Sequence, residues 1–389
     1  MLRAGGALGA VAVIAVAAGC SSSSASGNST SSSSPVTVGL LFPYSGPAAS
    51  YGALFNKAVQ AGMDVVKDKY GTSVTLKTVQ EDSQNTAQGA TTAMTALASV
   101  DNAEVVLSSG TAPGLAAMPI AKRYGIPLIN GSAADPKLAD SSGAIINLAP
   151  LANQQVGPLI PYAVNTKSLK RIAIIHTTDE LGDTLDSQVK TAVAAAGGTV
   201  VTDLSVSPDL TNFSAQASLI APDHPDAIYL ADSVGVVQYA PIFSQFRSAG
   251  LNQTFLGFNA LHVPQVMTLP GVAGSLLVDQ VINLNANNWA TKDFSKAWAK
   301  IDPSVQPTSY IVNYANSMIL IGEAVHALQQ AGKSVNSKNI QSELHAISPA
   351  TVIGGTVNIS ADGLTTNVQL AVYELTGSGE SKVVENVGS

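Results

Sequence analysis

Residues that commonly do chemistry are few in this sequence and lack catalytic spacing. The sequence contains no HExxH zinc motif, no GxSxG nucleophile turn and no GxxxxGK[ST] phosphate loop. No two of the histidines have the spacing of paired metal ligands. The five histidines are His176, His224, His262, His326 and His345. We therefore predict no enzymatic activity, no metal and no cofactor.

The single cysteine, Cys20, ends a hydrophobic amino-terminal segment. Arg3 precedes a run of small apolar residues at 7–18. A basic start, a short apolar run and small residues before a cleavage point are typical of a secretory signal, and the run is too short to span a bilayer. The tetrapeptide AAGC at 17–20 resembles a bacterial lipobox, which implies a signal peptide at 1–19 and lipidation of Cys20. A plain signal peptide with a chance cysteine is the alternative.

A serine-rich segment follows the cysteine. Residues 21–34 contain ten serines and no apolar periodicity, so we predict a flexible tether at 20–35. No later stretch reaches the roughly 18 apolar residues that a transmembrane helix needs. The predicted location is extracytoplasmic, with a lipid anchor on the outer face of the bacterial cytoplasmic membrane.

The composition excludes several classes of protein. The chain has 389 residues, of which 46% are hydrophobic, and a net charge of −7. This length corresponds to two or three domains of about 150 residues. The acidic balance argues against a nucleic-acid partner, which would call for a basic patch. One cysteine excludes a disulfide scaffold and a multi-cysteine metal site.

Strand-like apolar runs alternate with helical patterns through the rest of the chain. We predict strands at 36–42, 74–79, 105–107, 127–129, 171–176, 199–204 and 227–230, and helices at 51–69, 86–100, 116–124, 184–195 and 237–249. This alternation predicts an α/β fold with parallel sheets flanked by helices. Because the pattern starts twice, we expect two lobes. A ligand would lie at the carboxyl ends of the strands, in a cleft that closes by hinge motion.

Four segments carry a resemblance to a known family. They are PYSGPAASYG at 43–52, GIPLINGSAADP at 125–136, RIAIIHTTDELG at 171–182 and QFRSAGLNQTFLG at 245–257. In this order and spacing they resemble the type I periplasmic-binding fold. They are most similar to the branched-chain amino-acid (Leu/Ile/Val) binding proteins of ABC importers. The resemblance covers about residues 36–376.

The resemblance implies two Rossmann-like lobes joined by three crossovers, with the ligand cleft between them. Lobe 1 would comprise 36–152 plus 284–365, and lobe 2 would comprise 153–283 plus 366–389. The implied function is capture of a small polar solute by lobe closure and its delivery to the permease subunits of an ABC importer. The family's transport members usually work as monomers.

The resemblance also implies ligand-binding residues in lobe 1. Ser45 lies in the Ser-Gly-Pro loop, and Tyr51 lines the cleft. A ligand carboxylate would be held by hydroxyl and backbone N–H groups in two stretches. These stretches are Ser109, Gly110 and Thr111, then Ser132, Ala133 and Ala134. Short side chains allow backbone donors to approach an anion at helix N-termini. Many relatives carry Thr or Ser where Ala134 stands, so Ser132 would have to serve there.

The implied residues of lobe 2 depart further from the family pattern. Leu181 stands where relatives have an aromatic residue, and Asn259 stands where amino-acid binders present an acid. Phe258, directly before Asn259, would cover an apolar part of the solute together with Tyr51. An amide cannot neutralise an ammonium group, and a buried unpaired cation is expensive. Asp232 could supply the charge instead. The solute classes left open are an amino acid, a carboxylate without an amine, and an amide or other neutral polar molecule.

Two further functions are alternatives to transport. A receptor-type protein of the same fold would sense a ligand and signal through a partner without transport. A structural or adhesion lipoprotein would need no cleft lined by small polar loops. Neighbouring permease and ATPase genes would favour transport, whereas a neighbouring kinase gene would favour sensing.

Overall fold

A computed structural model describes residues 34–140, 142–232 and 235–387. The predicted signal peptide, Cys20 and nearly all of the predicted tether lie outside these residues. No helix in the described ranges combines the length and the apolar character required to cross a membrane.

The described residues form eleven α-helices and fifteen strands. The helices are α1 (Ala49–Tyr70), α2 (Ala87–Ser99), α3 (Thr111–Tyr124), α4 (Ala152–Pro161), α5 (Glu180–Ala195), α6 (Ser214–Ile220), α7 (Val236–Ser248), α8 (Pro264–Met267), α9 (Trp289–Ile301), α10 (Ser309–Gln330) and α11 (Ser337–Ala346). The strands are β1 (Val36–Phe42), β2 (Leu76–Asp82), β3 (Val105–Ser108), β4 (Leu128–Asn130), β5 (Ile145–Asn147), β6 (Arg171–Thr177), β7 (Thr199–Val206), β8 (Ala227–Ala231), β9 (Thr254–Gly257), β10 (Leu276–Gln280), β11 (Ala350–Val352), β12 (Gly355–Ile359), β13 (Thr365–Thr366), β14 (Leu370–Leu375) and β15 (Ser381–Val387).

The amino-terminal sheet is parallel and has the strand order β2-β1-β3-β4-β5. All seven residues of the internal strand β1 are buried. Val38 and Leu40 of β1 pack into one hydrophobic cluster, whereas Leu41 packs into another on the opposite face. Burial on both faces explains the continuous apolar run of β1. We call this sheet, with α1–α3 and α9–α11, the first half.

The second sheet has the order β15-β14-β10-β9-β8-β6-β7. Strands β6 to β10 are parallel, but β14 and β15 are antiparallel additions at one edge. The prediction of parallel sheets therefore misses this antiparallel edge. We call this sheet, with α4–α8, the second half. A small three-stranded sheet, β11-β12-β13, completes the strands.

The chain passes between the two sheets three times, after β5, after β10 and before β14. The boundaries predicted for the lobes, after residues 152, 283 and 365, fall in or beside these passages. Residues 152 and 365 lie within α4 and β13. The assignment of residues to lobes remains a prediction.

Two helices start earlier than the sequence pattern predicts. Helix α3 begins at Thr111 rather than at residue 116, and α5 begins at Glu180 rather than at 184. Pro113 lies in the first turn of α3, where a helix tolerates proline because the missing N–H would have no partner. In α5 the side chain of Asp179 caps the helix by accepting from the Gly182 N–H at 3.0 Å. Both early starts bring helix N-termini to the edge of the cleft.

Candidate functional site

A cavity of about 310 Å³ lies where loops of the two halves meet, beyond the carboxyl ends of the strands. The first half contributes Pro43, Tyr51, Phe55, Asn85, Thr86, Ser109, Gly110, Thr111, Ala112, Ser132, Ala133 and Tyr310. The second half contributes Asp179, Glu180, Leu181, Pro208, Asp209, Phe258 and Ala260. This is the position at which open parallel sheets bind ligands.

The N-terminus of α3 forms the polar end of the cavity. Gly110 precedes the helix with a φ of +78°, a conformation that glycine adopts without the strain of a side chain. Thr111 is the first helical residue and is 6% exposed, and its Oγ1 has no hydrogen-bond partner among the described atoms. The backbone N–H groups of a first helical turn lack intrahelical partners, and they attract an anion together with the helix dipole. This end of the cavity can therefore accept a carboxylate.

The stretch after β4 is organised differently. The Oδ1 of Asn130 accepts from the backbone N–H groups of Ser132, at 3.1 Å, and Ala133, at 2.8 Å. These two donors are therefore occupied within the protein. The Ser132 Oγ lies 2.8 Å from the Tyr314 hydroxyl, which donates to the Ser108 carbonyl at 2.9 Å. Because that hydroxyl has one proton, Ser132 must be the donor of the bond between them.

Aromatic rings cover the cavity. Tyr51 stacks on Phe55, with ring centroids 5.8 Å apart, and meets Tyr310 edge-on at 6.5 Å. Phe258 contributes a buried ring from the second half. Burial of the Tyr51 phenol raises its pKa, with the Asp232 carboxylate adding to the effect, so Tyr51 remains a neutral donor. The faces of these rings can hold an apolar body.

The second half gives the cavity an acidic side. Asp179, Glu180 and Asp209 line it, and none of the described lining residues is Lys or Arg. Lys137, from the turn after β4, forms an ion pair with Glu180. The cavity is therefore asymmetric, with helix-terminal donors on one side and carboxylates on the other.

Eight of the twelve predicted ligand-binding residues line the cavity. They are Tyr51, Ser109, Gly110, Thr111, Ser132, Ala133, Leu181 and Phe258. Their roles as ligand contacts remain predictions. The lining also includes residues that were not predicted from the sequence, among them Tyr310 from α10 and Asp179, the residue that caps α5. The capping position of Asp179 before α5 was readable in the sequence, whereas no local signal pointed to Tyr310.

The other four predicted residues lie outside the lining. The Ser45 Oγ donates to Asp82 Oδ2 at 2.5 Å. Asp82 also accepts from the N–H groups of Tyr44 and Gln84, so it holds the loop after β1. Burial alone would raise the pKa of Asp82, but these hydrogen bonds keep it below its usual value. Ala134 is fully buried, and its carbonyl accepts from the Ala152 N–H.

Asp232 and Asn259 lie behind the aromatic rings. Asp232 is 3% exposed and accepts from the Gly235 N–H at 3.3 Å. Asn259 is fully buried, and its Oδ1 accepts from the Tyr310 hydroxyl at 3.1 Å. The Asn259 Oδ1 is therefore occupied by an aromatic residue of the cavity lining, whereas the Asn259 Nδ2 has no hydrogen-bond partner among the described atoms.

Two clusters elsewhere have chemically familiar arrangements. His262 joins Asp279 at 2.7 Å and Ser381 at 2.8 Å through its two ring nitrogens. This resembles the order of a hydrolytic triad, but none of the three lines the cavity. His176, Asp186 and Asp203 lie close enough to hold a metal, yet Lys190 already pairs with both carboxylates.

Comparison with known proteins identifies the fold. Residues 35–380 match the sequence profile of a family described as periplasmic binding protein. The Leu/Ile/Val-binding protein homolog 3 of Brucella melitensis biotype 1 is 22% identical over 336 residues, which cover 84% of this chain and 88% of that protein.

Solved structures agree with this match. A leucine binding protein from Thermotoga maritima has a TM-score of 0.79 at 17% identity, over 91% of this chain and 99% of that one. A solute binding protein of an ABC transporter from R. palustris, solved in complex with benzoate, has a TM-score of 0.77 at 20% identity, over 91% and 96% of the two chains. The predicted two-lobed fold is confirmed, and the proteins matched are binding proteins rather than enzymes.

Proposed function

The chain belongs to the periplasmic binding protein family, and on that premise we propose that it captures a small carboxylate outside the cytoplasm and delivers it to an ABC importer. The carboxylate belongs either to an amino acid or to an acid without an amine. Closure of the two predicted lobes encloses the solute, and the closed form then docks on the permease.

The N-terminus of α3 carries this proposal. It brings a helix dipole and the hydroxyl of Thr111 to one end of a cavity between the halves. Thr111 Oγ1 is buried without a partner, and a buried hydroxyl without a hydrogen bond costs about 1–3 kcal/mol. A carboxylate oxygen at this place would accept from that hydroxyl. A neutral amide would gain less from the helix dipole.

The remaining cavity suits a compact apolar body. Tyr51, Phe55, Tyr310 and Phe258 supply the covering rings, and about 310 Å³ limits the size of the solute. A leucine side chain and a benzoate ring, the ligands named for two of the solved relatives, are both apolar bodies attached to one carboxylate. The carboxylates of Asp179 and Asp209 would stabilise an amine. They therefore favour an amino acid over an acid without an amine.

The amino-terminal segment supports an anchored location. After removal of a signal peptide at 1–19, lipidation at Cys20 and a tether at 20–35 would hold the binding protein at the outer face of the cytoplasmic membrane. The tether keeps it near its permease while both lobes remain free to move.

Matched pairs of ligands test the proposed function. Leucine with leucinamide, and benzoate with benzamide, differ at the carboxylate while keeping one body. At about 100 times its dissociation constant, a true ligand adds about 2.7 kcal/mol to the free energy of unfolding, which differential scanning fluorimetry of the full chain detects. We expect one carboxylate to stabilise the protein and its amide to fail. An amide that binds as tightly as its acid would contradict the proposal.

A pair of variants locates the carboxylate. Thr111→Val should weaken binding by about tenfold or more, because a hydrogen bond to a charged group is lost. Thr91→Val is the matched control, since Thr91 lies exposed on α2 and donates to the Ala87 carbonyl within its own helix. Equal affinity of the two variants would reject the α3 site.

A further inference from the structure

A polar contact joins the two halves at the edge of the cavity. The Thr184 Oγ1, on α5 of the second half, donates to Asp135 Oδ2 of the first half at 2.7 Å. Beside it, Lys137 and Glu180 form an ion pair between the same two elements.

The burial of Asp135 makes this contact more than a surface pair. The Asp135 side chain is 0% exposed, although the hydrogen bond partner of its Oδ2 comes from the other half. Its Oδ1 accepts from the Lys137 N–H at 2.8 Å within its own turn. When the halves close, Oδ2 exchanges water for the hydroxyl of Thr184. Without that hydroxyl, closing would leave a buried carboxylate oxygen underpaired.

The contact lies next to the solute. Ser132 and Ala133, which line the cavity, precede Asp135 in the same loop, and Leu181, which also lines it, lies one helical turn before Thr184. Positions three residues apart lie on the same face of a helix. A movement of α5 that releases Thr184 therefore also withdraws the second half from the solute.

We propose that Asp135 and Thr184, with Lys137 and Glu180 beside them, form a clasp that keeps the halves closed and sets how long a solute stays bound. Thr184 is thus a positioning residue that never touches the solute. The inference rests on the proposed function, because a clasp matters only where the halves open and close. The buried pair carries most of the effect, since exposed ion pairs contribute little.

The distance between the halves tests the clasp without any ligand. Val100 on the first half and Leu219 on the second are 72% and 59% exposed, so V100C and L219C can carry spin labels in the full chain with Cys20→Ser. We expect Thr184→Val to shift the distance distribution away from the closed form and Thr184→Ser to restore it. Thr191→Val is the control, because Thr191 lies exposed on the same helix and donates to Ser187.

Dissociation rates complete the test. With leucine or benzoate, whichever binds, Thr184→Val should speed dissociation by about tenfold, whereas the control Thr191→Val should leave it unchanged. Urea unfolding should be alike for Thr184→Val and Thr191→Val, which a purely structural role would not predict. Unchanged distances and rates in Thr184→Val would overturn the clasp while leaving the proposed function intact. If neither solute binds, the proposed function fails, and the distances alone decide the clasp.

Discussion

The hydroxyl groups around the cavity have different capacities to donate. The Tyr314 proton is used on the Ser108 carbonyl, and the Ser132 proton is used on Tyr314. Thr111 Oγ1 has no such partner. The family resemblance implies that Thr111 and Ser132 hold the polar head of the solute together, but of these two hydroxyl groups only that of Thr111 is free to donate.

This difference predicts a ranking of two substitutions. Ser132→Ala should weaken binding of a carboxylate by less than about threefold, because its proton already serves the protein, whereas Thr111→Val should cost about tenfold or more. Titration calorimetry with the best carboxylate measures both. Equal losses would mean that the solute reorients the Tyr314 hydroxyl and recruits Ser132.

Glu323 predicts a pH dependence of stability away from the cavity. Burial raises its pKa to about 7, although Lys69 and the Thr351 N–H lower it. His326 lies one turn further along α10, and Tyr70 stacks on His326. The folded state holds the Glu323 proton more tightly than the unfolded state, whose pKa is near 4.5. Stability from this group is therefore complete below pH 4.5 and is lost as the pH rises through about 7.

Glu323→Gln should remove this dependence. We expect the variant to exceed the wild type by about 1 kcal/mol in the free energy of unfolding at pH 8, a value kept small because the side chain is only half-buried. At pH 4.5 the two should be alike. Urea unfolding at both pH values measures the difference, and a variant that is less stable at pH 8 would contradict the assigned cause.

Only some of the residues that line the cavity could be predicted from the sequence. Tyr51, Thr111 and Leu181 follow strand ends, where ligand loops lie in such folds, so the sequence could point to them. Tyr310 comes from α10, more than a hundred residues after the strands of its half, and no local pattern marks it. Asn259 was expected to face the solute, but the Tyr310 hydroxyl takes its Oδ1.

At the scale of elements, the residue at which α3 begins determines which hydrogen-bond donors the cavity presents to a solute. The apolar pattern of the sequence predicts that α3 starts at residue 116. The structure begins the helix at Thr111, because proline fits the first turn and Gly110 adopts a positive φ. Because of this five-residue difference, the Thr111 hydroxyl lies at the positive end of a helix dipole rather than in a loop.

Gly110→Ala tests that helix start. Its φ is +78°, and a Cβ would lie 2.4 Å from the Asn85 Oδ1. Gly125→Ala, at the other end of α3, has a φ of +66° and open space around its Cβ. Both should lower stability by about 1 kcal/mol through backbone strain, but only Gly110→Ala should weaken carboxylate binding, by about tenfold. Calorimetry and urea unfolding separate the two effects, and equal affinities would reject the role of the α3 start.

In the second sheet, the buried strands could be predicted from the sequence, but the edge strand β15 could not. Buried parallel strands such as β6 (RIAIIHT) are continuous apolar runs that the sequence marks clearly. The edge strand β15 (SKVVENV) is mostly exposed or half-buried and polar, so its strand character depends on pairing with β14. Such pairing across the sheet is not encoded in a local apolar run.

At the scale of the whole molecule, the repeated α/β pattern predicted two lobes, but not the contacts that join them when closed. The clasp lies at one edge of the cavity. Elsewhere Tyr51 of the first half reaches the second, where its hydroxyl lies against the backbone at Gly235. These contacts bring together residues that are far apart in sequence, and each depends on how far the halves have closed.

Gly235→Ala therefore tests whether closure is needed for binding. A Cβ at Gly235 would lie 2.0 Å from the Tyr51 hydroxyl, at a φ of +72°, so the halves could approach only if Tyr51 moved away. Gly197→Ala is the control in the same half, with a φ of +80° and open space. Since the two share the backbone strain, any difference in affinity reports the collision with Tyr51.

We expect Gly235→Ala to bind carboxylate at least about tenfold more weakly, and small-angle scattering with saturating solute to give a larger radius of gyration. If it binds and compacts like Gly197→Ala, Tyr51 is free to leave its place, and the cavity closes without that contact.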